Sequence, residues 1–180
     1  MRPIAFLAPT VLTAALIFAP ARAEIVANTP TSFTVSDSIP VAASPARVYD
    51  ALVDVAAWWD PEHSWSGDSH NLTLDARPGG CFCEALPGGG GVEHGFVIDA
   101  APGSILRLNA ALGPLHDMPV IGILTWSFQP AGTGTLARVT YEVGGATEGG
   151  LASLAAPVDR VIGSQLHRLA TYVETGAPAN

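Results

Sequence analysis

The stretch from Gly150 to Thr175 limits most strongly what this chain can become. Leu151, Leu154, Ala155, Val158, Val161, Ile162, Leu166, Leu169, Tyr172 and Val173 recur there at three- and four-residue steps. Such spacing gathers them on one wide face of a helix, and that face has to be covered by an equally large apolar surface. Pro157 falls inside the pattern, where it either kinks the helix or marks its true start.

The covering surface comes earlier in the chain. Phe33 to Ala43 alternates apolar and polar residues, the period of a half-buried strand, and Pro40 suggests an edge or a bend. Ser44 and Pro45 form a helix start, with Val48, Leu52 and Val55 as the buried stripe before Trp58, Trp59 and Pro61. Strands are expected over Leu72–Ala76, Gly80–Leu86, Gly91–Ala100, Ser104–Leu112, Val120–Phe128 and Thr135–Val143. Between them lie turns rich in Gly and Pro, the punctuation of an antiparallel meander. The fold class is therefore α+β: a curved seven-stranded antiparallel sheet wrapped around one long C-terminal helix. A bent sheet and a single helix do not touch everywhere, so the gap is expected to be an internal cavity. The side chains expected to line it are Trp58, Trp59, Phe82, Phe96, Leu106, Leu108, Trp126, Tyr141, Val158 and Ile162.

The N-terminus reads differently. Arg2, an apolar run from Ile4 to Ala19 and the small-residue end Ala21-Arg22-Ala23 have the order of a secretory signal, with cleavage expected near Ala23. This divides the chain into a signal at 1–23, a lead-in at 24–32, a domain at 33–175 and a tail at 176–180. The expected location is the periplasm or the medium. The formal charge is −8, with 16 acidic residues and no Lys. Removing Arg2 and Arg22 with the signal makes it more negative still. An acidic surface repels phosphate backbones, so nucleic acid is not an expected partner. No later stretch is apolar enough for stable membrane insertion.

The hairpin Gly80–Ala100 carries the most chemistry. If Leu86 pairs with Val92, Glu84 lies opposite His94 and Phe82 opposite Phe96, on one face with Ile98. Glu84 and His94 are then a buried pair with two readings. One is a bond that fixes the hairpin register. The other is an acid and base that orient a ligand or activate water. Cys81 and Cys83 sit two apart on the opposite face. Three states fit them: free thiols, a disulfide, or soft metal ligands. Straight-strand geometry puts the disulfide near its upper reach of ~6.8 Å. Cys-x-Cys with His94 suggests zinc, but the pleat turns His94 away from the thiols, and no metal or cofactor is expected. The chain has no nucleophile elbow, phosphate-binding loop or dinucleotide fingerprint.

Several segments together resemble a known family: Ser44-Pro45-Ala46-Arg47-Val48-Tyr49 with Trp58-Trp59, Pro78-Gly79-Gly80-Cys81-Phe82-Cys83-Glu84, Gly91-Val92-Glu93-His94-Gly95, Leu112-Gly113-Pro114-Leu115 and Gly132-Thr133-Gly134-Thr135. In this order the chain is similar to the START/Bet v 1-like (SRPBCC) superfamily. The likeness is to the branch of heat-shock ATPase activator homologues and polyketide cyclase/dehydrase-like proteins. The resemblance implies the helix-grip fold. It leaves function open, because such proteins include lipid carriers, cyclases, hydrolases and co-chaperones. The expected function is an exported binding or carrier protein for a small hydrophobic molecule, lipids included. The alternatives are a cofactor-free cyclase- or hydrolase-type enzyme using Glu84 and His94, and a stress-related protein that binds an unidentified protein partner.

Overall fold

The computed structural model of the protein describes residues 24–179. The expected signal segment lies outside them. Strands β1 (Glu24–Thr29) and β2 (Ser32–Val41) lead into helices α1 (Pro45–Val53) and α2 (Val55–Trp58). Strands β3 (Leu72–Leu74), β4 (Cys81–Leu86), β5 (Gly90–Ala101), β6 (Ile105–Ala110), β7 (Val120–Ala131) and β8 (Gly134–Gly145) follow, and helix α3 (Ala155–Thr175) ends the fold. All strands join one antiparallel sheet in the order β1-β2-β8-β7-β6-β5-β4-β3.

The sheet has eight strands rather than seven. The additional one, β1, lies in the stretch read from sequence as a lead-in and pairs with β2 from Glu24↔Ser36 to Thr29↔Ser32. Every residue of β1 is exposed. An edge strand that buries neither face needs no alternation of apolar and polar residues, so periodicity cannot reveal it.

Local signals set the helix ends. The Ser44 side chain accepts a hydrogen bond from the Arg47 N–H, and Pro45 opens α1. Pro157 sits in the first turn of α3, where its missing N–H removes one of the donors that have no intrahelical partner anyway. Pro157 thus marks the start of α3 and does not kink it. The inner face of α3 buries Ala155, Ile162, Leu166, Leu169 and Ala170 against the sheet. Each fully buried Leu or Ile contributes ~1.5–3 kcal/mol of apolar transfer. Opposite it, Phe33 and Val35 of β2 and Val139, Tyr141 and Val143 of β8 present the matching inner surface.

Two glycines allow close approach of neighbouring strands. A Cβ at Gly122 would lie 2.7 Å from the Tyr141 ring, and one at Gly95 would lie 2.6 Å from Ala110. No side chain fits at either place. Gly95 adjoins a β-bulge in which β5 has one residue more than β4: Cys83 pairs with Glu93 and Phe82 with Gly95, leaving His94 between.

Candidate functional site

The bulge decides which way β5 points. The expected register placed Leu86 opposite Val92; in the structure Leu86 pairs with Gly90 and Glu84 with Val92. Glu84 and His94 nevertheless meet, diagonally, because a register offset of two residues preserves the alternation and leaves His94 on the inner face with Val92. His94 Nε2 lies 2.8 Å from Glu84 Oε2, and both residues are buried. Beyond the bulge the facing of β5 is reversed. Phe96 and Ile98 therefore stand on the outer surface, 40% and 41% exposed, and Phe96 is not a cavity residue.

Glu84 binds more than His94. Its carboxylate accepts the N–H of Trp65 at 3.0 Å and that of Ser66. Both oxygens are engaged, and the loop after α2 is fastened to β4. The same loop is held from α3: Gln165 Oε1 accepts the Asp60 N–H at 3.1 Å, and Arg168 Nε donates to the Trp58 carbonyl at 3.0 Å. Within the loop, Trp59 Nε1 donates to the His63 carbonyl. Burial raises the Glu84 carboxyl, but the hydrogen bonds from Ser66, Trp65 and His94 outweigh it and leave its pKa below the ordinary value. Burial depresses His94 against the opposing pull of Glu84. Near neutral pH the pair is thus a carboxylate and a neutral imidazole whose Nε2–H donates.

A half-enclosed cavity of about 430 Å³ lies between this fastened loop, the segment Leu112–Pro114 and the first half of α3. Trp59, Trp65, Leu112, Tyr141, Leu154, Val158, Val161 and Ile162 make its apolar wall, with Gly113, Pro114 and Pro157. Glu62, His63 and Ser64 supply the polar atoms at one rim. The Tyr141 hydroxyl is already committed: it donates to the Ala110 carbonyl at 2.9 Å and accepts the Leu112 N–H at 3.2 Å. Burial pushes its pKa up to about 12.

A family model described as polyketide cyclase / dehydrase and lipid transport matches residues 32–174. The chain belongs to this family. As a member of this family it has the Bet v 1-like helix-grip architecture. Solved structures agree at the level of the fold. EF2215 of Enterococcus faecalis is 16% identical with a TM-score of 0.60, over 88% of this chain and 80% of that one. CV1439 of Chromobacterium violaceum is 23% identical with a TM-score of 0.54, over 78% and 96%. The Aha1 dimer of Colwellia psychrerythraea is 18% identical with a TM-score of 0.54, over 79% and 97%. Comparison with curated protein sequences gave no match.

In this family member the residues expected to line one cavity fall into four places. Trp59, Tyr141, Val158 and Ile162 do line it. Trp58, Phe82, Leu108 and Trp126 surround a separate void of only about 10 Å³, and Leu106 is wholly buried in the core. Phe96 lies on the outside. Glu84 and His94 are set behind the rim and do not line the cavity. Cys81 and Cys83 form a disulfide with Cα atoms 5.4 Å apart, on the sheet face opposite His94. Trp65, in the loop that follows Trp58 and Trp59, also lines the cavity. Glu62, His63 and Ser64 carry no sequence signal beyond their place in a loop between aromatics.

Proposed function

We propose that this protein holds one small, largely apolar molecule, a lipid or similar compound, in the cavity beside α3, and that it does so outside the cytoplasm after cleavage near Ala23. The observation that carries the reading is the cavity itself. Its volume of about 430 Å³ falls in the ~300–1,000 Å³ range of small-molecule sites, and its wall is apolar except at one rim. With the Tyr141 hydroxyl spent on backbone, the ligand's polar end has Glu62, His63 and Ser64 to meet. Glu62 favours a neutral or cationic end over a carboxylate.

Export is supported by the order of residues in 1–23 and by the Cys81–Cys83 bond, since disulfides persist in oxidising compartments. The enzymatic alternative has less support, because neither Glu84 nor His94 lines the cavity and both carboxylate oxygens accept hydrogen bonds from the protein.

Titration with the neutral fluorophore N-phenyl-1-naphthylamine tests the proposal. Wild type should bind it. Val158→Trp, which fills the cavity from α3, should weaken binding by about tenfold or more while the folded state persists. Native mass spectrometry of the exported protein should show a chain starting at Glu24 with an apolar compound bound. An exported protein that is always empty, with probe binding indifferent to Val158→Trp, overturns the reading.

A further inference from the structure

The Cys81–Cys83 bond plays no part in lining the cavity, yet it sits on the structural feature that shapes the rim. It spans Phe82, the residue paired with Gly95, and the extra residue His94 falls between the β5 partners of Phe82 and Cys83. The ring of Phe82 packs 5.0 Å from His94 on one side and 5.5 Å from Trp59 on the other. The next residue after Cys83 is Glu84, which holds the Trp65 and Ser66 N–H groups.

The bond also shortens the strand. Two residues of extended β-strand advance ~6.6–6.8 Å. Here the Cα atoms of Cys81 and Cys83 are 5.4 Å apart. Opening the link lets β4 lengthen by about 1 Å at this step, measured against that strand rise. Glu84 lies immediately beyond it. Its carboxylate makes three hydrogen bonds to groups on two other segments, and such bonds weaken steeply once donor and acceptor separate beyond ~3.2 Å. The anchor therefore depends on the contracted strand. The two faces of β4 also differ in access. Phe82 and Glu84 are buried, whereas Cys81 and Cys83 are half-buried on the outer face, beside the exposed Thr73, Glu93 and Phe96. The disulfide therefore lies on the face of β4 that is turned away from the cavity.

We propose that the Cys81–Cys83 disulfide is a redox-sensitive clasp on this bulge, and that its cleavage by an external dithiol loosens the Trp65–Ser66 rim and weakens binding in the cavity behind it. A thiolate of the dithiol attacks one sulfur of the bond, which breaks as a mixed disulfide forms. The second sulfur of the dithiol then displaces that link. Cys81 and Cys83 end as thiols, having gained two electrons and two protons, and the reductant leaves as its own disulfide. The binding half of the proposal rests on the cavity being the working site; the rim half does not.

Amide hydrogen exchange of the full chain, oxidised and after dithiothreitol, tests the rim directly. Reduction should speed exchange at Trp65 and Ser66 by about tenfold, while the paired amides of β2 and β8 stay as they were. N-phenyl-1-naphthylamine should bind several-fold more weakly to the reduced protein. The double variant Cys81→Ser, Cys83→Ser should exchange like reduced wild type in either condition. Unchanged exchange at Trp65 and Ser66 after confirmed reduction, or a double variant that behaves like the oxidised protein, overturns the clasp. A probe that fails to bind even the oxidised protein counts against the cavity reading instead, and the amide result still decides the clasp.

Discussion

At one end of the space between the sheet and α3, indole and phenyl rings meet. Trp58 packs 5.5 Å from Trp59 and 5.9 Å from Trp126, Trp59 packs 5.5 Å from Phe82, and the void left among them is about 10 Å³. At the other end the same helix and sheet leave about 430 Å³. The backbone layers are continuous from one end to the other, so the layers alone do not decide where there is room. Side-chain volume does. Trp58, Phe82 and Trp126 fill the closed end and Trp59 stands between the two, whereas Gly113, Pro114, Pro157 and Val158 leave space open on the α3 and Leu112–Pro114 sides of the other end. A helix-grip fold gives the possibility of a cavity, and a few large residues determine how much of it is used.

The sharpest way to break this comparison is to cut a side chain of each end. Trp58 is 1% exposed and its Nε1 donates to the Leu52 carbonyl. Trp58→Ala should cost ~3–5 kcal/mol, the usual range for deleting a buried large aromatic side chain. Val158→Ala, in a wall that already faces open space, should cost under ~1 kcal/mol, because little close packing is lost. Urea denaturation of both variants gives the two figures. Equal losses would mean that the two ends are packed alike and that the open end is not a standing cavity.

Much of this layout can be read from the sequence, and what cannot has definite causes. The apolar face of α3 and the turn-punctuated strands are repeating patterns, and they give the architecture. A regular hairpin pairs Glu84 with His94 directly; they meet in spite of a register two residues off, because an even offset keeps His94 on the face of Glu84. Phe96 and Ile98 were lost to the bulge. Gly95 is its one trace in the sequence, and it becomes meaningful only once Ala110 is seen packed against it. Strand β1 was missed because an exposed edge carries no apolar rhythm. The division of the interior into a filled and an open end was not legible either. Periodicity tells which residues face inward, not whether their volumes add up to the space available.

Glu84 joins the two ends: it borders the aromatic cluster through His94 and Phe82, and it holds the rim of the open end through Trp65 and Ser66. Glu84→Ala strands the buried imidazole and two backbone donors. The expected loss is ~2–3 kcal/mol, and probe binding should fall as well. The pair also gives the protein an acid limit. Both folded-state pKa values lie below the ordinary ones, so each group binds protons more readily in the unfolded chain. The stability from His94 is complete above the ordinary imidazole range and is lost as pH falls below it; that from Glu84 goes at lower pH, below the ordinary carboxyl range. Melting temperatures from pH 8 down to pH 4 should show this decline in wild type, and His94→Gln should flatten its upper part. A wild-type melting temperature that stays constant over that range would mean the pair is not the buried joint described.

The smallest effect should come from a single oxygen atom at the open end. The Tyr141 hydroxyl ties Ala110 to Leu112, and Leu112 forms part of the cavity wall. Tyr141→Phe keeps the buried ring but leaves the Leu112 N–H without its partner, at a cost of ~1 kcal/mol. The effect has a pH signature that separates it from generic weakening. The phenol's pKa is raised to about 12 in the folded protein. The folded state thus keeps a proton that the unfolded chain releases near the ordinary value of ~10. Wild type accordingly loses stability as pH climbs from 10 towards 12, and the Phe variant lacks this particular loss. The gap between the two denaturation midpoints should narrow over that interval. If the midpoints run parallel instead, the hydroxyl does not hold the wall, and the open end owes its shape to the bulk of its side chains alone.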